Sequence, residues 1–161
     1  MDTAARTGAA ISTDVAVIGG GVVGVACAVE LARRGARVVV NDLGGSRDGA
    51  AGSASASAAE AVVSEIRAAG GEAMANGASV TDFAAVQAMV EQTMQAWGRI
   101  DILVNNAGIL RDKGFAKMEL DDFRLVLEVH LMGAVHCCKA VWPIMLAQKY
   151  GRIVLTTSSS G

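Results

Sequence analysis

Aromatic residues make up only 4% of this 161-residue sequence, with a single tyrosine, and there is one proline, Pro143. A core without aromatic bulk has to be built from Val, Ala, Leu, Ile and Met, and the 52% hydrophobic content supplies enough of them. Neither sign of charge dominates: the net charge is −2 and the pI near 5.6. That balance argues against a nucleic-acid or membrane-surface partner. The three cysteines, Cys27, Cys137 and Cys138, have no metal-ligand spacing, so no metal site is expected. The adjacent pair reads as small core residues in a reduced, cytoplasmic setting. Uninterrupted apolar runs fall short of the roughly 18 residues of a membrane span. The start, MDTAARTGAAIST, lacks the apolar centre of an export signal. Length sets the prior at one domain.

Against these scarcities the chain has 19 glycines, and one group of them organises the rest. Val15-Ala16-Val17-Ile18 is a short strand-like run, and Gly19-Gly20-Gly21-Val22-Val23-Gly24 after it fits G-x-G-x-x-G. A helical stretch follows to Arg34, then Gly35, then the β-branched run Val38-Val39-Val40 leading to Asp42. This is the strand–turn–helix–strand setting of a dinucleotide fingerprint. Gly19 takes the tight turn, Gly21 leaves room for a pyrophosphate, and Gly24 lets the helix pack close to the sheet. Val22 and Val23 lie between them, where free N–H groups at the helix start face phosphate. Asp42, 18 residues after Gly24, is placed to accept hydrogen bonds from a ribose diol. The alternative is a glycine-rich βα turn that binds nothing.

The remaining pattern alternates. Residues 1–13 are expected to be a flexible N-terminus and 14–161 a partial NAD-binding domain. Strands are expected at 14–18, 37–41, 72–76, 100–105 and 152–157. Helices are expected at 22–34, 58–69, 82–97 (capped by Thr81) and 120–148, the last kinked by Pro143. Residues 43–57 are a Gly/Ser/Ala segment, either a surface linker or a loop that settles over a cofactor. Alternating βα units with apolar strands imply an α/β fold, a doubly wound parallel sheet of Rossmann type. Right-handed crossovers give the strand order 3-2-1-4-5. Ligand then binds outside the carboxyl ends of strands one and four, the edge from which Asn105 and Ser158 leave the sheet.

From residue 36 onward the motifs NDLGG, GGEAMANGASVTD, WGRIDILVNNAGILRDKGFAKM, VHLMG and YGRIVLTTSSSG resemble the short-chain dehydrogenase/reductase family. More narrowly, NDLGG, NNAGILRDK and VHLMG resemble the (3R)-hydroxyacyl-CoA dehydrogenase domain of multifunctional enzyme type 2 and its bacterial relatives. The resemblance implies hydride transfer between a nicotinamide and a 3-hydroxyacyl, acyl-CoA-like secondary alcohol or its ketone. It implies NAD in preference to NADP, and a homo-oligomer. Asp42 would bind the adenosine ribose and Ser79-Val80 would lie at the adenine. Asn105, Ala107 and Gly108 would line the cofactor at strand four. Ser158, with Ser159 and Ser160 as alternatives, would hold the substrate oxygen. His130 occupies the helix position of a catalytic Asn in many members, and stands either as a packed, hydrogen-bonded residue or as a proton-relay member.

The sequence departs from the family pattern in four places. Val17, Ile18 and Val22 stand where T-G-x-x-x-G-x-G has Thr, the first Gly and the middle Gly, and residues 14–35 instead resemble the N-terminal unit of FAD-dependent oxidoreductases. Ala78 replaces an acid often found before Ser-Val. His130 replaces Asn. The Tyr-x-x-x-Lys motif is absent: Val154 lies four residues after the only tyrosine, Tyr150. The expectation is a truncated dehydrogenase unit lacking its C-terminal strands and helices, which binds dinucleotide but is catalytically incomplete and does not turn over alone. A non-catalytic nucleotide-binding module and an FAD-binding unit are the alternatives.

Overall fold

The computed structural model describes residues 14–18, 22–44 and 57–157. The strands are β1 (Asp14–Ile18), β2 (Arg37–Asn41), β3 (Ala73–Asn76), β4 (Ile102–Asn105) and β5 (Arg152–Leu155). The helices are α1 (Val22–Arg33), α2 (Ser57–Ala68), α3 (Phe83–Trp97), α4 (Leu120–Leu127) and α5 (Gly133–Gln148). All pairings are parallel, in the order β3-β2-β1-β4-β5. This is the expected doubly wound sheet.

Alternation along the strands divides the core. Val38, Val40 and Val104 face α1 and α2, packing with Ala28, Ala32, Val62, Val63 and Ile66. Val39 and Leu103 face the other way and pack with Val86, Met89, Cys137, Val141 and Met145 of α3 and α5. A strand buried on both faces has to be apolar at every position, which explains the unbroken Val38–Val40 run. Each such valine contributes roughly 1.5–3 kcal/mol by burial.

The sheet's amino-terminal edge is tied by charge. Asp14, fully buried, opposes Arg37 in the β1–β2 register. Arg37 donates through Nε and Nη2 to the two carboxylate oxygens, each at 2.6 Å. The Asp14 backbone N–H donates to Asp101 Oδ2, and Asp101 is gripped by Arg99. The Asp14 carboxylate holds the Arg37 guanidinium above its ordinary pKa.

One local expectation is corrected. The N-cap of α3 is Asp82, whose carboxylate accepts from the Ala85 N–H at 3.1 Å. The Thr81 hydroxyl is engaged with Ser79 Oγ instead, at 2.8 Å. The long helical run Leu120–Gln148 contains Pro143 and includes a π-type turn at Glu128–Met132. By length and mean hydropathy this run is also long and apolar enough to cross a membrane. In the fold only one side of its second half is covered: Gly133, Cys137, Val141 and Met145 are buried on the sheet side, while Leu131, Trp142 and Leu146 are exposed.

Candidate cofactor edge

The carboxyl ends of β1, β2 and β4 collect most of the candidate residues that lie in the described parts of the chain. β1 and β4 are neighbours, with Ile18 opposite Asn105, and the chain leaves them toward opposite faces of the sheet. This is the topological switch point at which doubly wound sheets bind ligands. Helix α1 begins at Val22 on this edge, with Val23 exposed and Gly24 buried. The first-turn N–H groups of α1 therefore open at the switch point. Gly19, Gly21 and Ser158 lie outside the described residues, as do residues 1–13 and most of the 43–57 segment.

Asp42 follows β2 and is partly exposed. Its Oδ1 accepts the Gly44 N–H at 2.7 Å, which fixes the carboxylate against the loop. Next to it, Asn41 is buried; its Nδ2 donates to the Ala78 carbonyl at 3.1 Å. Ser79 and Val80 follow β3 across the same edge. Val80 is buried against Gly133, where an added Cβ would lie 2.7 Å from Val80 Cγ2.

On the β4 side, Asn105 is buried and donates through Nδ2 to Cys138 Sγ at 3.6 Å, a long, weak contact. Ala107 packs against the α3–α5 core, while Gly108 is exposed. The imidazole of His130 lies close beside it on one side: an added Cβ at Gly108 would sit 2.7 Å from His130 Cε1. His130 Nε2 lies 3.0 Å from the Ile109 N–H and 2.8 Å from its carbonyl oxygen. His130 is thus hydrogen-bonded to the loop after β4 and clasps it. The π-turn that carries it puts the ring at that loop, and such turns recur at functional sites.

Other participants are hard to see in the sequence. Asp122, in the first turn of α4, is 3.1 Å from Lys113 Nζ and 3.4 Å from Arg111 Nε, tying the 109–118 loop to the helix. The Arg111 contact is close enough for ion pairing but not aligned as a hydrogen bond. His136 Nδ1 lies 2.8 Å from the Val80 carbonyl. Burial pushes the Cys137 thiol up to about 12 and raises that of Cys138, the latter partly offset by Asn105. Neither is a nucleophile at neutral pH.

Tyr150 is on the wrong side for acid–base work at this edge. It precedes Arg152, which pairs with Ile102 at the amino-terminal end of the sheet. The Arg152 guanidinium covers its ring at 4.9 Å. A hollow of about 550 Å³ between α3 and α5, lined by Phe83, Glu91, Lys139, Trp142 and Pro143, is also away from the switch point. The site is assigned to the sheet edge because strand ends, the α1 N-terminus and Asp42 converge there.

Comparisons with known proteins agree with this geometry. The family model for short chain dehydrogenases matches residues 14–161. Peroxisomal multifunctional enzyme type 2 of Drosophila melanogaster is 53% identical over 134 residues, covering 83% of this chain and 22% of that protein. The 3-oxoacyl-[acyl-carrier-protein] reductase of Synechocystis is 42% identical over 154 residues, covering 94% of this chain and 58% of that one. A solved 7α-hydroxysteroid dehydrogenase, complexed with NADH and 7-oxo glycochenodeoxycholic acid, superposes with a TM-score of 0.80 at 33% identity, covering 91% of this chain and 53% of that one. The chain thus spans between about a fifth and three fifths of these proteins.

Proposed function

This chain belongs to the short chain dehydrogenase family of oxidoreductases, and from that premise we propose that it forms the NAD-binding half of an enzyme oxidising 3-hydroxyacyl thioesters or reducing the matching ketones. The observation that carries the reading is the convergence of Asp42, the α1 start and the Asn105–Ile109 turn on one switch point. In this reading Gly19, Gly21, Val22, Val23 and Gly24 hold the pyrophosphate through backbone N–H groups. Asp42 accepts from the adenosine ribose, Ser79 and Val80 form the adenine wall, and Asn105, Ala107 and Gly108 flank the nicotinamide. Ser158 positions the substrate oxygen.

The nicotinamide, when bound, supplies a hydride acceptor or donor. The chain's own residues bind and orient it. His130 acts through Ile109, holding the loop beside Gly108, and is a positioning residue. The relatives named for acyl substrates support an acyl-CoA-like or acyl-carrier substrate. A homo-oligomer is proposed on the exposed apolar residues of the Leu120–Gln148 run, Phe123, Leu127, Leu131 and Trp142. A reducing, cytoplasmic setting is proposed on the three unpaired thiols. No general acid/base of Tyr-x-x-x-Lys type is present in these 161 residues. A missing general acid/base typically costs ~10²–10⁴ in rate, so binding is the activity expected of them.

Cofactor choice tests the reading. A 2′-phosphate beside the Asp42 carboxylate is repelled by on the order of a few kcal/mol at intermediate dielectric. Calorimetric titration should give tighter binding of NAD than NADP, and Asp42→Ala should narrow the gap. Equal or tighter NADP binding by the unaltered chain contradicts it, and yellow colour with absorbance near 450 nm would favour FAD.

A further inference from the structure

One helix reaches both loops of the candidate site, and its second contact has no role in the reading above. His136, in the first turn of α5, brings Nδ1 to 2.8 Å from the Val80 carbonyl oxygen. A carbonyl only accepts, so His136 is the donor and carries its proton on Nδ1. The ring is also held by Phe83, with centroids 5.4 Å apart at 46°. Three residues earlier on the same helix, Gly133 receives the Val80 side chain with no room for a Cβ. From β2, Asn41 grips the Ala78 carbonyl.

Backbone contacts help define the path of this loop: the Asp82 N–H donates to the Ser79 carbonyl at 3.1 Å and the Ala78 N–H to Asn76 Oδ1 at 2.8 Å. Ser79 Oγ is 2.8 Å from the Thr81 hydroxyl and accepts the Thr81 N–H at 3.3 Å, contacts internal to the loop. The Val80 side chain is buried in the core beside Gly133, and its carbonyl is the group that His136 holds. We infer that His136 is a positioning residue for the adenosine half of the cofactor: its Nδ1–H fixes the Val80 carbonyl and so sets the wall on which the adenine lies. The inference rests on the dinucleotide reading above and adds to it a residue that touches no ligand.

The test separates the two halves of the cofactor. Binding of AMP and of nicotinamide mononucleotide to the 161-residue chain is titrated by NMR for the unaltered protein, His136→Phe and His136→Asn. Phenylalanine keeps the ring against Phe83 and removes the donor; asparagine keeps a donor near the Nδ1 position. His136→Phe should weaken AMP about 5- to 10-fold, the worth of one hydrogen bond. It should leave nicotinamide mononucleotide within twofold, and His136→Asn should restore AMP to within threefold. AMP binding unchanged in His136→Phe, or both halves weakened alike, overturns the inference. Should His136→Phe not fold, His136→Asn decides alone: a folded asparagine variant that has lost AMP overturns it, and one that binds AMP supports it. If the unaltered chain binds neither AMP nor nicotinamide mononucleotide, the dinucleotide reading itself fails.

Discussion

A methyl group at position 108 gives a sharp test of the clasp between His130 and the loop after β4. In Gly108→Ala the new carbon would lie 2.7 Å from His130 Cε1, 3.2 Å from Nε2 and 3.4 Å from Nδ1. Carbon atoms in good contact sit about 3.5–4.0 Å apart, so the ring has to give by close to an ångström. His130 is exposed, and the imidazole can swing outward without overpacking a core. What it loses is its hold on Ile109, where Nε2 either accepts the N–H at 3.0 Å or donates to the carbonyl at 2.8 Å. One nitrogen serves one partner at a time, so the loss is one hydrogen bond, about 1 kcal/mol net. Gly108 has no positive φ, so alanine brings no backbone strain. In a His130→Ala background the methyl enters vacated space and the cost should fall to near zero. Urea denaturation of the four proteins of this cycle should therefore give a coupling of about 1 kcal/mol. A cost for Gly108→Ala that is the same with and without the imidazole refutes the clasp.

Two further outcomes follow from the edge opposite the site and from the core. Arg37→Met leaves the fully buried Asp14 carboxylate without its bidentate partner. Breaking such a pair costs about 3–5 kcal/mol, and the low end is expected because the Arg37 side chain is 27% exposed; a urea midpoint shift equivalent to less than about 1 kcal/mol would contradict it. The Cys137 thiol, pushed by burial from 9.0 to about 12, makes stability flat below pH 9 and falling from there to about pH 12, because the unfolded chain releases that proton first. Melting at pH 8 and pH 10.5 should show a loss on the order of 2 kcal/mol beyond that of Cys137→Ala; equal losses in the two proteins would contradict the burial.

The sheet was legible because its signals are redundant. Strand β2 is marked by three consecutive β-branched residues, helix α1 by its apolar spacing and by Gly35, whose φ of 88° ends it. Parallel topology followed from alternation alone. The cap at α3 was misplaced by one residue because Thr81 and Asp82 are both good capping types, and only the Ser79 contact decides between them. The candidate site could be named from the sequence wherever its residues belong to a contiguous motif, as at Asp42 and Asn105–Gly108. It was not legible where function depends on register between distant elements. His136 reaches Val80 across 56 positions and Cys138 reaches Asn105 across 33. Neither spacing has a sequence signature, since both are set by how α5 lies on the sheet. The π-turn at Glu128–Met132 likewise has no signature in a stretch whose composition reads as ordinary helix.

The central claim is that a dinucleotide binds at the carboxyl edge of β1, β2 and β4. Titrating NAD into ¹⁵N-labelled protein and mapping the amide shifts tests it directly. The account expects the changes to cluster at residues 18–24, 42–44, 78–80 and 105–109. Changes confined to the α3–α5 hollow around Phe83, Glu91 and Trp142, or none at millimolar NAD, would contradict it.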